Sequence, residues 1–127
     1  MNADEFVNEV RSVAGLEDRD STRPAISATL ATLRERLAGN EPNNLAAQLP
    51  EELAGALRGA GGQDNFSLDE FYDKVAEKEG VGREEAANHA RAVGAVLQRA
   101  VTPGEMDDVR WQLKDEYAEV FGRATSS

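Results

Sequence analysis

The sequence predicts an all-α protein in which two related repeats, each of three to four helices, pack into one compact helical domain. Three observations lead to this prediction. Apolar residues recur at helical spacing along most of the 127 residues. No segment shows the alternation of β-branched and polar residues that is typical of strands. The stretch 45–53 returns in altered form at 109–117, which indicates a repeated helical unit.

The first helix is predicted over residues 3–14. Asn2, followed three residues later by Glu5, is a capping-box signal for a helix start. Gly15 suits the left-handed backbone conformation in which many helices end. Between these signals, apolar residues recur along one face of the helix: Phe6, Val7, Val10, Val13 and Ala14.

The second helix is predicted to follow the charged loop 16–23, with Ser21 or Thr22 as its N-cap, and to run to about Ala38. Pro24 would then lie in the first turn, where a missing N–H has little effect on stability. The apolar stripe of this helix comprises Ile26, Leu30, Leu33 and Leu37.

Pro50 interrupts the leucine stripe of the third helical element, which begins within the segment 40–43. A proline inside a helix removes a backbone hydrogen bond and clashes with the preceding turn. We therefore expect two short helices, at about 42–48 and 51–58, instead of one longer helix. The leucines of this stripe are Leu45, Leu49, Leu53 and Leu57.

A glycine-rich segment separates the two halves of the chain. Glycine occupies three of the four positions in 59–62, so this segment is predicted to be flexible and to mark the boundary between the repeats. The predicted division is 1–60 for the first repeat, 61–65 for the linker, 66–122 for the second repeat and 123–127 for a frayed tail.

The second half begins with a capping box at Ser67 and Glu70, which predicts a helix that ends near Gly80. A longer helix is predicted over 83–101. Thr102 then offers an N-cap that is followed by a proline at the first helical position and a glutamate at the third. The last apolar stripe comprises Met106, Val109, Leu113, Tyr117, Val120 and Phe121.

Matching positions in the two halves support the internal repeat. The first helix matches residues 65 positions later, and the rest of the first half matches residues 64 positions later, as if one residue had been lost from the first loop. Caps, glycines and loop lengths match together with the apolar stripes, which chance similarity between amphipathic helices does not explain. Among the identical pairs are Glu41 with Glu105, Gln48 with Gln112, and Leu49 with Leu113.

The order Phe-x-x-x-Val, Gly, Leu-x-x-Leu-x-x-x-Leu and Leu-x-x-Gln-Leu-Pro-x-x-Leu resembles the DUF2267 family, a bacterial and archaeal family of unknown function. The resemblance covers about residues 4–122 and implies a small, acidic, all-helical and internally duplicated protein. The second half departs from the pattern, because Lys114 stands where the first half has Pro50. We therefore expect the last helix to run unbroken from about 104 to 121. The family has no assigned activity, so the resemblance implies no catalytic residues.

Composition narrows the class of protein. The net charge is −10, from 24 acidic and 14 basic residues, and an acidic chain is repelled by phosphate backbones, so we expect no nucleic-acid partner. The absence of cysteine excludes disulfides and thiolate chemistry. The first residues lack the features of a signal peptide, and no apolar run approaches the ~20 residues that span a bilayer. We therefore expect a cytoplasmic protein with no membrane partner.

His89 is the only histidine, and Glu85 lies one turn before it on the same face of a predicted helix. A metal site usually has three or four ligands, and the chain has no other histidine and no cysteine to complete one. A Glu–His pair on the surface of the helix is the expected arrangement. We predict no metal site.

The remaining motifs fit helix ends and surfaces. The segment 18–22 superficially resembles an aspartate phosphotransfer motif, but no buried strand precedes it, and its serine or threonine is expected to cap a helix. The paired acids at 51–52, 107–108 and 115–116 suit first turns or exposed faces. The glycines of 59–62 lack the Lys-Ser/Thr of a phosphate loop. We therefore predict no catalytic residue, no cofactor-binding residue and no cofactor.

Trp111 is the one residue for which a partner contact is predicted. It falls between Val109 and Leu113 in the sequence but lies off their stripe. Ala47 occupies the matching position in the first half. The indole either fills the seam between the two halves or is an exposed anchor for a partner, and we favour the seam.

The sequence thus predicts a non-enzymatic cytoplasmic module for protein interaction or structure, with stress response as one setting for it. The partner is another protein or a second copy of the chain, because paired helices offer grooves for a partner helix. The alternative is a helical protein that binds a small apolar or cationic ligand in a pocket between the repeats, with acidic residues at the rim.

Overall fold

Eight α-helices and no strands make up residues 1–124, the part of the chain that this computed structural model describes. The predicted tail, 123–127, lies outside the described residues from position 125 onward. None of the described helices combines the length and the apolar character needed to cross a bilayer. The helices are α1 (Ala3–Ala14), α2 (Arg19–Arg36), α3 (Glu41–Ala46), α4 (Glu51–Ala54), α5 (Leu68–Glu79), α6 (Arg83–Ala100), α7 (Pro103–Leu113) and α8 (Ala118–Phe121), with 3₁₀ turns at Gly55–Leu57 and Asp115–Tyr117.

The predicted capping boxes of α1 and α5 are confirmed. The Asn2 side chain accepts a hydrogen bond from the Glu5 N–H at 2.8 Å, and the Glu5 carboxylate accepts one from the Asn2 N–H. Ser67 and Glu70 make the same reciprocal pair at the start of α5. The Thr102 hydroxyl caps α7 in the predicted way. Local sequence therefore sets where these helices begin.

The predicted N-cap of α2 at Ser21 or Thr22 is wrong, because Asp18 caps this helix. The Asp18 carboxylate accepts hydrogen bonds from the Ser21 N–H at 2.8 Å and from the Ser21 hydroxyl at 2.9 Å, and the former bond holds the pKa of Asp18 below its usual value. The helix therefore begins at Arg19, and Pro24 lies beyond its first turn.

The predicted split at Pro50 is confirmed, because α3 ends at Ala46 and α4 begins at Glu51. The predicted unbroken helix from 104 to 121 is wrong. Helix α7 ends at Leu113, and Lys114 has a left-handed φ of 68° with a ψ of 179°, which turns the chain out of the helix. The chain therefore breaks at matching places in both halves, with a proline at only one of them.

The break at Lys114 allows the last helix to fold back onto α6. Tyr117 and Phe121 are almost completely buried as a result, and the Tyr117 hydroxyl donates a hydrogen bond to the backbone oxygen of Phe66 at 2.7 Å. Gly94 makes the approach possible, since a Cβ atom there would lie 2.1 Å from the backbone oxygen of Val120. Packing of α8 against α6 is thus the physical reason for the break.

The two longest helices, α2 and α6, organise the core. Helix α6 packs against α1, α2, α5 and α8, and α2 packs against α1, α5 and α6. Phe71 on α5 makes edge-to-face contacts with Tyr117 and Phe121, with ring centroids 5.6 and 6.0 Å apart. One continuous core therefore includes side chains from both halves of the chain.

The glycines that were predicted to make the inter-half segment flexible instead let its backbone pack against the end of α2. The Gly61 N–H donates to the Gly39 oxygen at 2.9 Å, and the Gly62 N–H donates to the Arg34 oxygen at 3.0 Å. A Cβ atom at Gly61 would lie 2.1 Å from the Leu37 oxygen. Glycine is required here for close contact between backbones.

Candidate functional site

Trp111 lies on the exposed face of α7, and its interpretation as a filler of the seam is wrong. The residue is 62% exposed. The buried face of α7 consists of Met106, Val109 and Leu113, and a side chain two positions from Val109 points away from that face. Ala47, at the matching position of the first half, is exposed as well.

Two open grooves flank the Trp111 side chain. The first has a volume of about 520 Å³ and the second a volume of about 490 Å³. Together we call them the Trp111 surface. The first is lined by Arg110, Trp111, Lys114, Asp115, Arg123 and Ala124. The second is lined by Arg36, Ala38, Gln63, Asn65, Trp111, Gln112 and Lys114.

Lys114 belongs to both grooves because of the turn at the end of α7. Its N–H still donates to the Arg110 oxygen at 2.9 Å, so the residue stays next to the last turn of the helix although its φ is 68°. The side chain is exposed, and it has no carboxylate oxygen within 4.0 Å among the described residues. The ammonium group is therefore available to a partner.

The two arginines of the Trp111 surface are held more firmly. Arg110 donates to the Phe121 oxygen at 2.7 Å and to the Gln98 side chain at 2.8 Å. Arg36 is buried, donates to the Phe66 oxygen at 3.1 Å, and its guanidinium carbon lies 5.3 Å from the centre of the Tyr117 ring. Both positive charges are thus fixed in place before any partner binds.

His89 is buried, and the predicted surface pair with Glu85 is wrong. The residue is 4% exposed, and its Nδ1 atom lies 2.7 Å from a carboxylate oxygen of Glu79 at the end of α5. The Glu79 side chain is buried too, and this burial raises the pKa of its carboxyl. No sequence signal connects the two residues, because their contact depends on how α5 and α6 pack.

An acidic cluster that the sequence analysis missed lies where α3 meets α7. Oxygen atoms of Glu41, Glu105 and Asp108 lie within 4.8 Å of one another. Burial, followed by the neighbouring Glu41 carboxyl, raises the pKa of Glu105 to about 8. The signal for this contact was available, since Glu41 and Glu105 occupy matching positions in the two halves. Such oxygens suit a divalent cation, but two carboxyls that share a proton are also stable together.

The other motifs lie at helix ends. In the segment 18–22, Asp18 caps α2. The acids 51–52 are exposed in the first turn of α4, and the acids 115–116 are exposed in the 3₁₀ turn before α8. The residues of these segments therefore stabilise helix starts and turns.

Comparison with known proteins identifies the chain at the level of a family. No curated protein matches it closely enough to lend it an activity. The model of the family described as "Uncharacterized conserved protein (DUF2267)" matches residues 3–120, which include every helix from α1 to α7 and most of α8. With a match over nearly its whole length, the chain belongs to the DUF2267 family.

Proposed function

We propose that this chain is a non-enzymatic, cytoplasmic protein-interaction module that binds its partner through the Trp111 surface. The observation that carries the proposal is the exposure of Trp111. Every other aromatic side chain is buried, with an exposure of 7% or less. An indole offers about 150–250 Å² for burial, and tryptophan is enriched among the residues that dominate binding energy at protein interfaces.

The proposal includes an internal repeat of two helical halves, 1–60 and 66–122, joined by 61–65. Two hydrogen bonds between the halves support it. The Gln48 side chain accepts from the Thr102 N–H at 2.8 Å, and the Gln112 side chain accepts from the Ala38 N–H at 2.8 Å. Donor and acceptor in one bond are each 64 positions from their counterparts in the other. Such reciprocal contacts are typical of two-fold related units.

Divergence between these halves bears on function. If the halves began as copies, the tryptophan and the adjacent lysine are features of the second half alone, because Ala47 and Pro50 stand at the matching positions. Some buried positions of α7 and their counterparts also differ, for example Val109 against Leu45, but all of them are apolar. The tryptophan instead places a large apolar side chain at an exposed position, which binding to a partner would favour.

Substitution of Trp111 tests the proposal. We expect Trp111→Ala to change the free energy of unfolding by no more than about 0.5 kcal/mol, as for other exposed positions. The amount of partner captured quantitatively from an extract of the source cells should fall by at least about tenfold.

Val13→Ala is the matched control, because Val13 is an exposed large apolar residue on α1. This variant should capture the same amount of partner as the unaltered protein. Equal capture by the Trp111→Ala and Val13→Ala variants would overturn the proposal. A large loss of stability in Trp111→Ala would show that the indole has a structural part instead.

A groove between the halves favours the small-ligand alternative as a second candidate. The 490 Å³ groove is lined by residues of the first half, of the linking segment and of the second half, and this volume is within the range of small-molecule sites. Its charged residues are Arg36 and Lys114, so a charged ligand would be anionic, whereas the sequence predicted an apolar or cationic ligand. A rise in melting temperature with a small organic anion, absent in Trp111→Ala, would support this candidate.

A further inference from the structure

We infer that the partner segment that binds the Trp111 surface is acidic, with an apolar side chain between carboxylates. This inference rests on the proposed function and specifies the chemistry of the partner. Three properties of the surface support it, namely the excess of positive charge, the lack of a carboxylate partner among the described residues for three of its four cations, and the apolar contact that the indole offers.

Positive charge is concentrated at the Trp111 surface although the whole chain carries a net charge of −10. Its grooves contain four cationic side chains and one carboxylate, that of Asp115, and one of the four cations, Arg110, is paired with the Asp107 carboxylate at 3.1 Å. The second groove contains no carboxylate at all among its lining residues. Local positive potential on an acidic protein steers an acidic segment to this place and repels a basic one.

The basic residues elsewhere are mostly neutralised within the chain. Ion pairs within 4.0 Å use most of the cations outside the Trp111 surface, for example Lys78 with Glu35 and Arg83 with Asp73. Some basic residues have no carboxylate partner among the described residues, and three of them line the Trp111 surface. The full set is Arg11, Arg34, Arg36, Lys114 and Arg123.

An apolar side chain in the partner follows from the position of the indole. Trp111 lines both grooves, and Lys114 lines both with it. A segment that pairs a carboxylate with the Lys114 ammonium therefore passes across the face or edge of the indole. Burial of an apolar group there supplies about 25 cal/mol per Å², whereas the exposed ion pair alone contributes at most about 1 kcal/mol.

A protein segment fits these observations better than a nucleic acid. A nucleic acid carries a charge at every phosphate and would extend beyond the grooves onto a surface with an excess of carboxylates, which repels it. An acidic segment of a protein carries only a few charges, so its carboxylates can be confined to the Trp111 surface. A second copy of this acidic chain is the other occupant that the test separates.

Selection from a random peptide library displayed on phage tests the inference. The immobilised protein is the target, and the Trp111→Ala variant removes peptides that bind elsewhere. We expect the selected peptides to be rich in Asp and Glu around an aromatic or aliphatic residue. For the best peptide, calorimetry should show that Lys114→Glu weakens binding by at least about tenfold and that added salt weakens binding further.

Arg11→Glu is the matched control, because it makes the same change of charge outside both grooves. It should weaken the peptide's binding by less than about twofold. Selected peptides that are neutral or basic, or equal losses in Lys114→Glu and Arg11→Glu, would overturn the inference. The proposed function would survive that result if Trp111→Ala still lost its cellular partner, so the two failures are distinguishable.

Two further measurements identify the competing occupants. Light scattering at increasing protein concentration shows whether the chain dimerises, and a dimer that Trp111→Ala abolishes would make a second copy the occupant. Titration with a single-stranded DNA 20-mer shows whether phosphates bind, and binding that Lys114→Glu abolishes would make a nucleic acid the occupant. Either result would contradict the acidic segment, and we expect neither.

Discussion

At the scale of single residues, the buried pair of His89 and Glu79 has no polar counterpart at the matching positions of the first half. The positions 64 and 65 residues earlier are Ala25 and Ala14. Two small apolar side chains there correspond to a hydrogen-bonded polar pair here, with an N–O distance of 2.7 Å. The second carboxylate oxygen of Glu79 is buried and has no hydrogen-bond partner among the described residues. His89 and Glu79 therefore each supply the hydrogen-bond partner that the other needs in the core.

We predict that removal of both members costs less stability than removal of one. Glu79→Ala or His89→Ala leaves a polar or charged group buried without its partner, which costs about 3–5 kcal/mol. The double variant reproduces the alanines of the first half and should lose less than either single variant. Urea unfolding at pH 7 of all four proteins measures this coupling. A double variant that loses as much stability as either single variant, or more, would contradict the prediction.

Residue patterns predicted which side chains are buried better than they predicted which residues those side chains contact. The stripe of α2 and the last stripe, which begins at Met106, identified buried residues because burial follows helical spacing, a local property. Trp111 lies off its stripe, and spacing alone would have placed it at the surface. Its size and apolar character favoured the seam and led to the wrong interpretation. The contact of His89 with Glu79 needs the packing of two helices, which no local pattern contains.

At the scale of helices, the chain leaves the helix between Ala46 and Glu51 in the first half and after Leu113 in the second half, by different means. Pro50 separates α3 from α4 and stands at the N-cap of α4, whereas Lys114 ends α7 with a left-handed φ. The second break was not predicted because lysine favours helices. Its cause is the burial of Tyr117 and the contact of Gly94 with α8, which are properties of the packed molecule.

We predict that Lys114→Gly stabilises the protein by about 1 kcal/mol. A lysine with a φ of 68° and a ψ of 179° is strained, and glycine adopts this conformation without a steric penalty. Lys114→Ala, which removes the charge but keeps the Cβ atom, is the control and should show no such gain. Lys114→Pro should destabilise, because proline fixes φ near −65° and lacks the N–H that bonds to Arg110. Guanidinium unfolding measures all three, and equal stability of the glycine and alanine variants would refute the prediction.

At the scale of the whole molecule, the fold class and the positions of most helices could be predicted from the sequence. The contact between α3 and α7 was not predicted. Capping boxes and stripes are local and identify helices one by one. The contact of Glu41 with Glu105 depends on how the halves pack, although their matching positions in the proposed repeat pointed to it. This junction is where pH should act on the molecule.

We predict that stability falls as pH rises from about 4.5 to about 8 because of Glu105. Its pKa rises from 4.5 in the unfolded chain to about 8 in the folded protein, so the folded state keeps a proton that the unfolded chain releases. Glu105's contribution is fully present below pH 4.5 and is lost as pH rises through 8. Glu105→Gln cannot lose a proton and should be more stable than the unaltered protein at pH 8, by on the order of 2 kcal/mol after allowance for its partial exposure.

Chemical denaturation at several pH values measures this effect. Glu77→Gln is the control, because Glu77 is exposed on α5, and its pH profile should follow that of the unaltered protein. Glu41→Gln should reduce the pH dependence in the same direction, since it removes the neighbouring carboxyl. Parallel profiles for Glu105→Gln and Glu77→Gln would refute the assignment of the proton to this junction.

The exposure of the single tryptophan also decides how folding of this protein can be observed. Because Trp111 is already in contact with water in the folded state, its emission should change little when the chain unfolds. The two tyrosines are both buried, and the helices dominate the far-ultraviolet circular dichroism, so these signals record unfolding. The fluorescence of the native protein instead reports on whatever contacts α7.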